Sequence, residues 1–255
     1  MTVLEGTVIL LAGMAAGTIN TIVGSGTLIT FPTLLAFGIP AVTANASNTI
    51  GLVPGSISGA IGYRRELVGQ RSRVLRLLSA SVVGGIVGAV LVLALPEEAF
   101  EAVVPALILL GIVLVLTGPK ISRWVARRHE TTGGLPHHGA WWVWHAILLA
   151  GVYGGYFGAA QGVLLIAILG IGVSESLQRL NGVKNILGAV VNGVSGIVFA
   201  FVAEVDWLVV LLIALGSVVG GQIGAGVGRR LPDLWLRAMI VVVGVTALVY
   251  FFVRG

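Results

Sequence analysis

The side chains in this sequence that could do chemistry are few, mostly uncharged, and regularly spaced. The segment that begins near Leu177 carries Asn181, Lys184, Asn185 and Asn192. Their separations of 3, 4, 7 and 11 residues put all four on one face of a helix. Asn45, Asn48 and Ser56 have a similar arrangement earlier in the chain. Two glycine-rich stretches accompany these faces. The first is Asn20-Thr-Ile-Val-Gly24-Ser25-Gly26-Thr27, and the second is Gly158-Ala-Ala-Gln161-Gly162. Amides, hydroxyls and a lone ammonium are suited to holding the oxygens of an anion. A helix that starts after Thr27 would add its N-terminal N–H groups, with the Ser25 and Thr27 hydroxyls beside them. Gln161 brings two donors and an acceptor to the second stretch.

Each of these groups has a plainer reading that the sequence leaves open. The glycine-rich stretches also suit interfacial turns, and the asparagines suit hydrogen bonds between helices. Lys184 is either a counter-charge for an anion or a side chain that snorkels to the interface.

The elements that position these groups must lie in lipid. Of 255 residues, 57% are hydrophobic and 10% charged, against roughly 25% charged in soluble domains. That charge cannot cover a soluble protein of this size. At about 20 residues per crossing the chain has room for roughly eight to ten segments and no sizeable soluble domain. Apolar stretches run at 3–19, 26–39, 41–63, 74–95, 100–118, 140–158, 160–173, 177–203, 207–228 and 233–253. Those at 26–39 and 160–173 are short, since about 14 helical residues reach only about 21 Å. Each is expected to be a broken or re-entrant segment. Residues 119–139 are expected to form a polar cytoplasmic linker and the only real loop.

The basic balance, +5 with 15 Lys and Arg, reports topology rather than a nucleic-acid partner. Twelve of the 15 fall in clusters at Arg64 to Arg76, Lys120 to Arg128 and Arg229 to Arg237, as cytoplasmic loops do. The six tryptophans sit near segment ends, where interfacial anchoring accounts for them. Cysteine is absent, so disulfides and thiolate metal sites are excluded. No nucleotide-binding loop, intramembrane carboxylate or nucleophile–base pair appears. Neither an enzyme nor a cofactor is therefore expected.

An internal repeat organises the chain. Ser81 to Pro96 and Ser217 to Pro232 share 9 of 16 residues at an offset of 136. Ala12 to Gly17 matches Ala150 to Gly155, and Asn45-Ala-Ser-Asn48 lies nearly where Asn181-Gly-Val-Lys-Asn185 does. Residues 1–118 and 140–255 read as two homologous halves. The helix after Arg64, Arg65, Arg71 and Arg73 should run outward. Its counterpart, ending at Arg229-Arg230, should run inward. The expected fold is thus an all-α polytopic membrane protein of two inverted-topology repeats, the architecture of secondary transporters.

Gly24-Ser-Gly-Thr-Leu-Ile-Thr-Phe-Pro32 followed by Gly38 resembles the first-repeat signature of the TauE/SafE sulfite exporters. Asn181-Gly-Val-Lys-Asn185 with Asn192 resembles the second. The second break departs from the family pattern, because no later proline matches Pro32. The resemblance implies a multi-pass protein of a bacterial inner (plasma) membrane. Such a protein would export sulfite or small sulfonates such as sulfoacetate by alternating access at a midplane site. The expected partners are a small anion and the bilayer, with a homo-oligomer compatible and no nucleic acid. The expected site comprises Asn20, Gly24, Ser25, Gly26, Thr27, Asn45, Asn48, Gln161, Asn181, Lys184, Asn185 and Asn192. An anion channel of similar build and a non-transporting accessory subunit remain as alternatives.

Overall fold

The computed structural model describes residues 1–131, 139–227, 238, 240–246 and 248–249, and all regular structure among them is helical. The helices are α1 (Val3–Ile22), α2 (Thr27–Ala36), α3 (Ala41–Gly62), α4 (Arg71–Ala94), α5 (Glu97–Thr131), α6 (Trp142–Tyr156), α7 (Gln161–Gly172), α8 (Leu177–Val202) and α9 (Trp207–Val227). A 3₁₀ turn at Arg64–Leu67 joins α3 to α4. Further helical residues lie at 240–246. Among the described residues, five helices are long and apolar enough to cross a membrane: Val3–Ile22, Arg71–Ala94, Glu97–Arg127, Leu177–Val202 and Trp207–Gly226.

The expected linker is partly helix. Instead of ending at Pro119, α5 continues to Thr131. Lys and Arg are good helix formers. Ile121 and Val125, four residues apart, also prolong the helix's buried stripe into the cluster that contains Leu169 and Val173. The approach is close enough that a Cβ on Gly170 would meet Val125 Cγ2 at 2.2 Å. Residues 132–138 and the basic cluster at Arg229 to Arg237 lie outside the described residues.

Close helix contacts follow the glycines, as expected where small residues let backbones approach in lipid. Gly13 and Gly17 of α1 face Ile213 and Ser217 of α9, and Gly51 and Gly55 of α3 face the same pair. Those two helices therefore run parallel to α9. Likewise Gly84 faces Gly151 and Gly88 faces Gly155, so α4 runs parallel to α6. Between α3 and α8 the order reverses. Gly182 lies by Glu66, Asn192 bonds Ser56, and Gly196 lies by Ile50. These two helices are antiparallel.

The short helices follow two sharp breaks. After α1 the N–H of Gly24 donates to Ile19 O at 3.0 Å, and after α6 that of Gly158 donates to Tyr153 O at 3.1 Å. Both glycines have left-handed backbone, with φ of 84° and 75°. This is a glycine-capped helix end, which satisfies carbonyls that lipid cannot. The breaks touch one another. The Gly162 N–H donates to Gly24 O at 3.1 Å, and a Cβ on Gly24 would meet Gly162 Cα at 2.3 Å.

Candidate functional site

Where the two breaks meet α3 and α8, the helices leave a cavity of about 30 Å³. Its polar lining comes from five separate helices. Asn20 and Thr21 come from the last turns of α1, Thr27 and Gln161 from the first turns of α2 and α7, Ser56 from α3, and Lys184, Asn185 and Asn192 from α8. Gly188 and Ala189 leave the space open on the α8 side, and a Cβ on Gly188 would meet nothing within 4 Å.

Lys184 does not snorkel. Its side chain is buried, and Nζ donates to Thr21 O at 3.1 Å and Ile22 O at 3.2 Å. These carbonyls belong to the final turn of α1, where helix carbonyls lack intrahelical partners and the helix dipole favours a cation. The ammonium therefore closes the end of a helix in the other half of the chain while its residue lines the cavity. Beside it, Asn185 is buried and its Nδ2 has no hydrogen-bond partner. A buried amide donor is costly when unpaired, so an acceptor entering the cavity would relieve it. Asn20 Nδ2 and Asn192 Nδ2 both donate to Ser56 Oγ, at 3.1 and 3.2 Å. Gln161 Nε2 donates to Ala150 O at 3.0 Å, which fixes the side chain at the mouth of α7.

Of the residues singled out in the sequence, Asn20, Gly24, Thr27, Gln161, Lys184, Asn185 and Asn192 line the cavity. Ser25, Gly26, Asn45, Asn48 and Asn181 do not. Ser25 is buried with its hydroxyl unpartnered, and Gly26 caps α2. Asn45 Nδ2 donates to Tyr156 O at 3.0 Å. Asn48 is held inside its own half, accepting from Thr30 Oγ1 and donating to Thr27 Oγ1 at 3.4 Å. Asn181 shares the α8 face but stands one turn before Lys184, at the end where Gly182 meets Glu66 and Leu67. Facing the right way was thus not enough, because the cavity begins a turn later.

The helix-terminus amides expected to hold an anion are largely engaged. Leu28 and Ile29 N–H donate to Ser25 O and Gly26 O, and Gln161 and Gly162 N–H to Gly158 O and Gly24 O. The polar groups that face the cavity are therefore mostly side chains. Thr21 and Gly188 were not singled out in the sequence. Gly188 carried a readable signal, being a small residue four positions after Lys184 on an otherwise polar face.

No cluster of three or more metal-ligating side chains occurs among the described residues.

A family model for the sulfite exporter TauE/SafE matches residues 9–251. The chain belongs to the TauE/SafE family. Its relatives are described more coarsely, as probable membrane transporters. It is 27% identical over 247 residues to the "Probable membrane transporter protein YfcA" of Escherichia coli (strain K12), covering 92% of this chain and 85% of that protein. It is also 27% identical over 241 residues to the "Probable membrane transporter protein ORF9" of Sinorhizobium sp, covering 92% and 87%. The "Probable membrane transporter protein YdhB" of Bacillus subtilis (strain 168) is 25% identical over 220 residues, covering 85% and 86%. With five apolar helices of spanning length, this TauE/SafE member is a multi-pass membrane transporter of the bacterial inner membrane.

Proposed function

We propose that the protein is a secondary transporter of small sulfur-containing oxyanions, with sulfite as the fitting size, and that the cavity between the two breaks is its substrate site. The observation that carries this reading is the pairing, at one buried place, of Lys184 with the unpartnered Asn185 amide. A water needs about 10–15 Å³ of such space. A cavity of about 30 Å³ therefore suits a few oxygens about one centre, and the carbon tail of a larger sulfonate such as sulfoacetate would require the halves to open.

Residues 1–118 and 140–255 are, in this reading, inverted-topology repeats that rock about the site. The helix directions support it. α1, α3 and α9 run one way, α6, α8 and α4 the other, and the repeat pairs α1 with α6, α3 with α8 and α4 with α9. Contacts are matched as well, since α1 packs on α9 as α6 packs on α4. Two similar halves in opposite senses give inward- and outward-facing states of comparable energy, which is what alternating access requires. With the arginine-rich end at the cytoplasm, export is the direction the family description suggests.

Uptake of ³⁵S-sulfite into proteoliposomes tests the reading. Wild-type protein should show saturable flux and counterflow. Lys184→Met should abolish it, and Gly188→Leu, which fills open space, should block it without unfolding the protein. Sulfite flux equal to wild type in both folded variants would remove the cavity from the mechanism. Single-channel current would replace the transporter with a channel.

A further inference from the structure

Ser56 lies on α3, five helices before the α8 that carries the lysine, and its hydroxyl is bound in an unusual way. A serine oxygen has two lone pairs and one O–H. Both lone pairs are engaged here, one by Asn20 Nδ2 at 3.1 Å and the other by Asn192 Nδ2 at 3.2 Å. Its hydrogen must then point elsewhere. The usual outlet for a helical hydroxyl is the carbonyl one turn back, and Thr18, Thr21 and Thr33 use it. Among the described residues Ser56 makes no such bond. Ser56 is 8% exposed and lines the cavity, so the remaining direction for the O–H is the cavity itself.

We propose that Ser56 donates its hydroxyl hydrogen to a substrate oxygen, and that Asn20 and Asn192 are positioning residues that fix it as a donor. The inference rests on the cavity being the anion site. It adds a residue to recognition and a condition on when recognition is complete. Asn20 and Ser56 lie in the first half of the chain, whereas Asn192 lies in the second. The second amide reaches Ser56 only while α8 stands against α3. With one lone pair free the hydroxyl can rotate, and its donor direction is lost. Full affinity for the anion therefore belongs to the closed arrangement of the halves, and separation of α3 from α8 weakens the hold on substrate as the path opens.

Apparent KM for ³⁵S-sulfite uptake, measured on the full chain in proteoliposomes, tests this. Ser56→Ala should raise KM about 10- to 100-fold, the range for a hydrogen bond to a charged group. Ser56→Thr, which keeps the hydroxyl, should restore most of the loss. Asn192→Ala should also raise KM. In the Ser56→Ala background, however, it should add less than about twofold, because its effect passes through that hydroxyl. A purely structural role for Asn192 would not produce this coupling. Ser56→Cys, close in shape with a weak donor, serves if Ser56→Ala does not fold, and the same loss is expected. A KM within about twofold of wild type for the folded alanine or cysteine variant overturns the proposal, as do fully multiplicative effects in the double variant. If Lys184→Met and Gly188→Leu impair uptake while Ser56→Ala does not, this inference alone fails. If none of the three alters uptake, the cavity itself is not the site.

Discussion

Asn48 and Lys184 stand 136 residues apart, the offset of the internal repeat, and so occupy corresponding turns of α3 and α8. Their surroundings differ. Asn48 is wholly buried and satisfied within its own half by the hydroxyls of Thr27 and Thr30 on α2. Lys184 reaches out of its half to the carbonyls of Thr21 and Ile22 at the end of α1. The first position is a hydrogen-bonded strut, and the second is a cross-link beside the cavity. Two polar positions at the repeat offset thus do different work. The neutral one holds a short helix to its neighbour, and the charged one joins the halves.

The largest effect should come from the breaks themselves. Gly24 and Gly158 end α1 and α6 in the same left-handed conformation, yet only Gly24 is pressed against the opposite break. Gly24→Ala combines an unfavourable left-handed alanine with a backbone clash at 2.3 Å, together roughly 3 kcal/mol or more. Gly158→Ala meets only Gly154 O at 3.0 Å and should cost mainly the conformational term, about 1–2 kcal/mol. Chemical-denaturation or thermal-melting curves in detergent check the difference. Equal losses would mean that the contact between the breaks contributes nothing.

Next comes the pair itself. Lys184→Met leaves the Thr21 and Ile22 carbonyls unpartnered, about 1–3 kcal/mol of stability, and should also abolish sulfite flux. Asn48→Ala should lower the melting temperature through lost bonds to Thr27 and Thr30 while leaving measurable flux in the folded fraction. If Asn48→Ala silences transport as completely as Lys184→Met, the division of labour between the halves is wrong.

This asymmetry explains which parts of the molecule could be read from the sequence. The helices were legible, because composition fixes lipid as the solvent and glycine, proline and charge punctuate the spans. The breaks were legible because the glycine-rich stretches at Gly24 and Gly158 precede apolar runs of about 14 residues, too few for a full crossing. The failure at Pro119 has a physical cause. A proline ends a helix only where the lost hydrogen bond is not offset, and Ile121 and Val125 continue the buried stripe beyond it. In the site, helical spacing found Lys184, Asn185 and Asn192 but also Asn181, since periodicity gives the face of a helix and not the depth of a cavity. Nor does one strand of sequence reveal partners. Whether an asparagine faces a carbonyl, as Asn45 does, or an empty space, as Asn185 does, depends on helices more than 100 residues distant.

The two ends of the bundle sharpen the same contrast. At the arginine-rich end, Glu175 binds Arg73 at 3.1 Å and Arg179 at 2.7 Å, and Arg179 also donates to Val68 O at 3.0 Å. That cluster ties the start of α8 to the start of α4, across the halves. At the corresponding place of the other end, Asp206 caps α9 by accepting from Leu208 and Val209 N–H, and its own N–H donates to Ser47 Oγ at 2.9 Å. No ion pair with Asp206 occurs among the described residues. Glu175→Gln leaves the buried Arg73 without its carboxylate and should cost about 1–3 kcal/mol, reduced from the fully buried range because Glu175 is partly exposed. Asp206→Ala removes a helix cap worth about 1 kcal/mol. In crosslinking or hydrogen-exchange measurements, Glu175→Gln should open the arginine-rich end, and Asp206→Ala should leave both ends as they are. Opening of the opposite end by Glu175→Gln would break the comparison.

The smallest effect is expected where the halves differ in backbone alone. The residue before α2 is Gly26, with an ordinary right-handed φ of −58°, whereas the residue before α7 is Ala160, with a left-handed φ of 59°. Glycine thus stands where its freedom is not used, and alanine where it would be. A non-glycine residue persists in this conformation only when its surroundings impose it, and Ala160 is completely buried, next in sequence to the cavity-lining Gln161. Ala160→Gly should relieve strain of about 1 kcal/mol, offset in part by greater freedom of the unfolded chain. A small rise in melting temperature is the expected result. The glycine also loosens the turn that aims Gln161, so sulfite KM should rise slightly while stability improves. A variant that melts higher and binds tighter would show that the strain serves neither position nor recognition.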